Sequence, residues 1–253
     1  MKINIKKAFL LPITGDKWVF KLIYGCMLYI IPAIFQHFPS HMPYAITIYL
    51  IISIVLPSLA NGYIVESAHN EIKDRSKIMP EWENNNIKYI KQGLLLELLY
   101  IIYSIPLLLL GLLIYFPYLL WNYSIYHRLH FNIIDYIGVS IYISMYFILL
   151  TALSSINYAK DFKFIDGLNI LYTIRLILRN CKAFLVCFSL SFLLINTYTL
   201  INICHNKLLS SIIYGINFPI NLIILNLFSQ FYKQTTKTHL DSPAGWALRT
   251  IIK

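Results

Sequence analysis

Six apolar stretches, each about twenty residues long or longer, constrain this chain more than anything else in it. They lie at 18–36, 44–65, 94–121, 135–157, 183–203 and 208–232, with short polar segments between them. A helix rising 1.5 Å per residue needs about 20 residues to cross about 30 Å of hydrocarbon. Inside a bilayer no water is left to pair with the backbone, so a separate spanning segment has to be helical. The sequence therefore predicts an all-α, polytopic integral membrane protein with six transmembrane helices. The third stretch contains Pro106, Gly111 and Pro117. It is expected either to tilt strongly or to end early, with its remainder at the interface.

Charge supports a membrane and gives it a direction. Only 13% of the 253 residues are charged, about half the usual share of a soluble domain. The net charge of +10 would suit nucleic acid only if the basic residues shared one water-exposed face. They fall instead in blocks between apolar stretches, which points to anionic lipid headgroups as partners and away from nucleic acid. Under the six-span arrangement all but Arg128 and Lys207 of the 21 lysines and arginines collect on one side. Cytoplasmic loops keep such an excess, so both termini are expected in the cytoplasm and the protein in the cell membrane. The expected organisation is a cytoplasmic segment 1–17, a membrane domain 18–232 and a cytoplasmic tail 233–253. The start, "MKINIKKAFLLPITGDKW", breaks at Pro12, Gly15 and Asp16 before any full apolar region, and reads as an uncleaved lead into the first helix.

Two interludes on the basic side are expected to be amphipathic interfacial helices, at about 80–92 and 162–181. In the first, "PEWENNNIKYIK", Pro80 and Glu81 suit a helix start, and Trp82 beside lysines suits headgroup depth. In the second, Asp166, Asn169, Thr173 and Asn180 form a polar stripe at 100° per residue. Phe164, Ile165, Leu168, Leu171, Tyr172 and Leu178 lie opposite, with Arg175 and Arg179 projecting from that apolar side.

Several short motifs recur at positions that suggest a family. "DKWVFKLIYG" leads into the first span, "NGYIV" closes the second, and "MPEW" and "GLLLELL" follow. Together they resemble the multi-pass membrane proteins of bacteria and archaea grouped as domain of unknown function 4013. The resemblance covers roughly residues 5–205 and rests on Trp18, Gly62, Tyr63, Pro80, Trp82 and Gly93. The stretch "NYAKDFKFIDGLNILYTIRLILRNCKAFL" is similar to the family's second amphipathic segment. Glu66 stands where that pattern has a basic residue, and Arg75 where it has a glycine. The family carries no assigned activity, so the resemblance implies fold and location alone.

Candidate chemistry is sparse. Glu97 sits about one turn inside the third span, where an unpaired carboxylate is costly. It is expected to pair with Arg175 or Arg179, to carry a proton, or to face a polar path. Glu66 lies at the interface end of the second span. Asn217 and Asn221, with Asn226, Asn196 and Asn202, either join helices by hydrogen bonds, worth about 0.6 kcal/mol each, or line an aqueous route. Pro219, after "GINF", suggests a kink or a break. His37 and His41, and His127 and His130, are weak metal candidates by spacing, and no cofactor is expected. The four cysteines sit in or beside apolar spans with no ligand spacing. No motif for a catalytic serine, a zinc protease or a nucleotide-binding loop occurs. The sequence thus favours a non-enzymatic scaffold touching lipid or a membrane-protein partner. A small-solute or ion transporter using Glu97 and the polar residues of span six is the alternative. A metal-binding or lipid-modifying membrane protein is a third reading.

Overall fold

A computed structural model of the chain describes residues 3–36, 43–83, 85–126, 151–203 and 207–240. Ten α-helices and no strand occur among the described residues. They are α1 (Ile5–Leu10), α2 (Trp18–Phe35), α3 (Pro43–Ile72), α4 (Asn86–Tyr126) and α5 (Leu153–Asp161). Then follow α6 (Phe164–Gly167), α7 (Ile170–Arg179), α8 (Cys181–Ile203), α9 (Lys207–Tyr214) and α10 (Asn217–Leu240).

Among the described residues three segments are long and apolar enough to cross a membrane: Trp18–Phe35, Ile46–Ile72 and Leu209–Thr236. Taken as one span, α7 and α8 would add a fourth, bent by 107°. The expected fourth stretch, 135–157, lies mainly outside the described residues. α4 runs for 41 residues, about 60 Å at the helical rise, twice the thickness of the hydrocarbon. The last expected span is divided: α9 stops at Tyr214, Gly215 and Ile216 form a turn, and Asn217 opens α10.

The axis of the bundle is α3, which packs against α2, α4, α5 and α10. Its two halves differ in what surrounds them. The first half exposes Ile46, Ile48, Leu50, Ile51 and Ile54, an outward face that only an apolar solvent tolerates over such a length. From Gly62 to Glu71 every residue of α3 is buried. That length holds Tyr63, Ile64, Val65 and Ala68, and also Glu66, Ser67, His69, Asn70 and Glu71.

The approach of α4 to α3 depends on a glycine from each. A Cβ on Gly62 would stand 1.8 Å from the Tyr89 carbonyl oxygen, and one on Gly93 would stand 1.8 Å from that of Ser58. With hydrogens there instead, the two backbones touch, as small residues permit at membrane helix crossings.

The interlude at 80–92 differs from expectation. Residues 80 and 81 carry no helix, a turn follows at Glu83, and helix begins only at Asn86, running unbroken into α4. Trp82 is 7% exposed, inside the protein rather than at the headgroups. The physical reason is that its ring found an aromatic partner within the bundle. The second interlude divides into α6 and α7, with Asn169 between them capping the Tyr172 amide of α7.

Candidate functional site

Three of the residues on which the family resemblance rests, Tyr63, Pro80 and Trp82, come together as a cap. The Trp82 ring stacks on Tyr63 with centroids 4.0 Å apart, and Tyr24 meets it edge-on at 4.8 Å. The Tyr63 hydroxyl donates to the Pro80 carbonyl at 2.9 Å, and the Tyr89 hydroxyl donates to that of Glu81 at 2.8 Å. Lys21, 3% exposed, reaches up from α2 to the Glu81 carboxylate at 2.9 Å. Asn70 Nδ2 donates to the Ile78 carbonyl. Proline at 80 leaves no amide hydrogen to satisfy. These ties strap residues 78–82 over the end of α3. Trp18, the remaining motif residue, opens α2 and is partly exposed, beside the surface pair Lys17–Glu83.

Under and beside the cap lie two buried carboxylates. Glu66 is paired by Lys88 at 2.8 Å and Arg75 at 3.6 Å and accepts from Gln92 Nε2 at 3.0 Å. Glu71, 3% exposed, takes the Lys7 ammonium on both oxygens at 2.8 Å, with Lys233 at 4.0 Å. A buried carboxylate is tolerated only with such pairing, because its desolvation cost is several kcal/mol. His69 places Nδ1 2.7 Å from the Ala159 carbonyl oxygen. Asn4 exchanges hydrogen bonds with Gln230. Residues of α1, α3 and α10, distant in sequence, are thereby fastened at one end of the bundle. Sequence reasoning placed Glu66 in the interface and gave no role to His69 or Glu71. The available signal was the run of polar residues closing an apolar span.

Five residues before Glu66 on α3 is a second polar group, within the expected hydrocarbon. Asn61 Nδ2 donates to a Glu97 carboxylate oxygen at 3.2 Å, and the Tyr29 hydroxyl donates to Asn61 Oδ1. The Asn221 side chain lies against the Tyr29 hydroxyl. The Ser58 hydroxyl, which reaches the Ile54 carbonyl at 2.6 Å, also lies against the Glu97 carboxylate. The chain Glu97–Asn61–Tyr29–Asn221 therefore joins α4, α3, α2 and α10. Beside it lies a cavity of about 40 Å³ whose polar lining is Asn61, Tyr100, Thr151 and Asn221. That is room for about one water. Asn217 opens α10 one turn earlier, outside that lining.

Of the expected site residues, Glu97 and Asn221 are thus brought to one place, while Glu66 belongs to the cap. Arg175 and Arg179 are on α7, and among the described residues no ion pair joins either of them to Glu97. Asn61 and Tyr29 were missed. Asn61 stands directly before the Gly-Tyr motif, and Tyr29 is hidden among 20 tyrosines. His37, His41, His127 and His130 lie outside the described residues. No group of His, Cys, Asp and Glu suited to a metal occurs among the described residues.

The cap is built from three of the residues that carried the family resemblance, and the sequence profile of one family, described as "Protein of unknown function (DUF4013)", matches residues 45–206. The chain belongs to the DUF4013 family. Neither the curated proteins nor the solved structures contain a match to it. In this DUF4013 member the matched region holds α3 to α8, and therefore Asn61, Glu97, the cap and both interludes. Tyr29 and Asn221, contributed by α2 and α10, lie outside it.

Proposed function

We propose that the protein is a non-enzymatic module of the cell membrane, with six spans and both termini cytoplasmic, that engages anionic lipid headgroups through α7. The observation that carries this reading is the orientation of α7. Leu171, Ile174 and Leu178 form an exposed stripe, with Arg175 and Arg179 along one flank, while Thr173 and Leu176 are buried on the other side. Thr173 is held there by Asn157, whose Nδ2 donates to its hydroxyl at 2.9 Å. The helix axis meets that of α8 at 107°. With α8 near the bilayer normal, α7 lies along the surface, its leucines in the acyl boundary and its arginines at the phosphates. The excess of basic residues on the same side of the six-span arrangement adds attraction for anionic lipid.

The test uses the full chain reconstituted in nanodiscs, with a fluorophore on Leu178→Cys. Quenching by spin labels placed high on the acyl chains is expected, and replacing Arg175 and Arg179 by Gln should reduce the preference for anionic over zwitterionic lipid. Quenching by aqueous iodide alone would remove the reading. Protection from both quenchers would put a membrane-protein partner on this face. A reporter fused after residue 253 checks the orientation, with cytoplasmic activity expected.

One observation favours a second reading, transport of a small ion: the Glu97–Asn61–Tyr29–Asn221 chain beside its cavity. A space of about 40 Å³ admits a water or a bare ion and no larger solute.

A further inference from the structure

Glu97 occupies an unusual position on α4. It follows buried Leu96 and precedes exposed Leu98, and the exposed residues Leu94 and Ile101 flank it one turn away on either side. It therefore stands at the seam between the bundle interior and the lipid-facing side of α4, one turn after the close contact at Gly93. The groups against its carboxylate are the Asn61 amide and the Ser58 hydroxyl, both neutral. The titratable groups facing it are the hydroxyls of Tyr29 on α2 and Tyr100 on α4. Among the described residues no lysine, arginine or histidine forms an ion pair with it. Glu66 and Glu71 each have cations in place, so Glu97 differs from both.

A lone carboxylate in hydrocarbon is costly enough that it is found with a counter-charge or in its neutral form. One negative charge among neutral groups is balanced by one positive charge, whereas a divalent ion would leave the site charged. The oxygens present are those of the Glu97 carboxylate and the Ser58 hydroxyl, which suit a hard cation rather than a soft metal, while the Asn61 N–H holds the carboxylate in place. On the other side of Asn61 a cavity lined by Asn61, Tyr100, Thr151 and Asn221 has room for about one water.

We propose that Glu97, with Asn61 and Ser58, is a binding site for one monovalent cation, a proton or a sodium ion, at the lipid-facing edge of the α3–α4 contact. The site is independent of lipid contact by α7. It is the binding step that the transport reading needs, and binding without flux would leave the site standing while removing transport.

The experiment is thermal unfolding of the full chain in nanodiscs, wild type against Glu97→Gln. A ligand that binds the folded state raises the unfolding midpoint in proportion to its excess over the dissociation constant. If sodium is the ligand, replacing choline by sodium at constant ionic strength raises the wild-type midpoint and leaves that of the variant unchanged. If the proton alone is the ligand, sodium has no effect. The wild-type midpoint then falls relative to that of the variant as pH rises, because a proton held in the folded state is lost. Equal responses of the two proteins to both sodium and pH would overturn the proposal. Should Glu97→Gln fail to fold, the wild type alone decides through labelling by a hydrophobic carbodiimide, read by intact mass and peptide mapping. Modification of Glu97 that falls severalfold with added sodium or raised pH supports the site. Labelling indifferent to both, or none, overturns it.

Discussion

The two basic interludes have similar compositions and opposite fates. Each follows an apolar segment, carries aromatic and basic residues, and reads in one dimension as a surface helix. Residues 78–82 became a cap with the Trp82 indole inside the protein, stacked on Tyr63. Residues 164–179 became α6 and α7, with Ile165, Leu171 and Leu178 outside. What differs is the partner that each apolar residue finds. A ring on α3, and the tyrosine hydroxyls that hold the proline-containing loop by its carbonyls, give Trp82 a place in the interior. Thr173, by contrast, takes the inward side of α7 because Asn157 is waiting there, and this turns the leucines out. A polar residue facing inward and apolar residues facing outward is the arrangement that lipid favours and water does not.

Trp82→Ala is the most severe way to break this comparison. It empties a buried aromatic site and should cost about 3–5 kcal/mol. Chemical unfolding in detergent, followed by the fluorescence of the remaining tryptophans, measures it. A cost below about 1 kcal/mol would mean that the cap is a surface segment after all. Gly62→Ala follows, at about 1–3 kcal/mol. Its methyl group meets the Tyr89 carbonyl, and the first turns of α4 must shift away from α3. The same unfolding assay should show the loss, together with faster proteolysis in the 77–83 segment.

For the second interlude the expected sign is different. Leu178→Ser should change unfolding free energy by no more than about 0.5 kcal/mol, since Leu178 touches little of the protein. It should nonetheless weaken the association with anionic nanodisc lipid measured by native mass spectrometry. Equal lipid retention with lost stability would place α7 in the core and reverse the contrast.

The smallest effect concerns the tie between the two regions. Lys73, at the start of the first, donates to Asp161, at the start of the second, at 3.0 Å. The hydrogen bond from Lys73, helped by the nearby Lys160 charge, holds the Asp161 carboxyl below its usual range. A carboxyl held low in the folded state contributes stability above its unfolded value, about 4, and loses it as pH falls through the lowered folded value. Between neutral pH and about 4, Asp161→Asn should therefore be slightly less stable than wild type. The difference should vanish in stronger acid, and a constant difference across that range would separate Asp161 from the tie.

Much of the architecture was legible because bilayer physics is nearly one-dimensional. Apolar runs of 18 or more residues, and Gly-Tyr and Pro-x-Trp at fixed spacing, needed no tertiary contacts to be read. Glu97 stood out for the same reason, as a charge where hydrocarbon was expected. Asn61 did not, because one amide in an apolar helix is ordinary until it is seen between a tyrosine of α2 and a carboxylate of α4. The expected pairing of Glu97 with Arg175 or Arg179 relied on depth alone, and depth says nothing about which way around a bundle two helices face.

The sequence by itself determined that this chain is helical, that it carries segments able to cross a membrane, and that it belongs to its family, since these follow from local composition and spacing. Only the tertiary structure decided that Trp82 is inside and Leu178 outside. It also decided that Glu66 and Glu71 have cations while Glu97 has neutral partners, and that Asn61, Tyr29 and Asn221 form one chain. Those outcomes depend on the rotation of each helix about its own axis and on the closeness permitted by Gly62 and Gly93. Neither quantity exists until the helices pack.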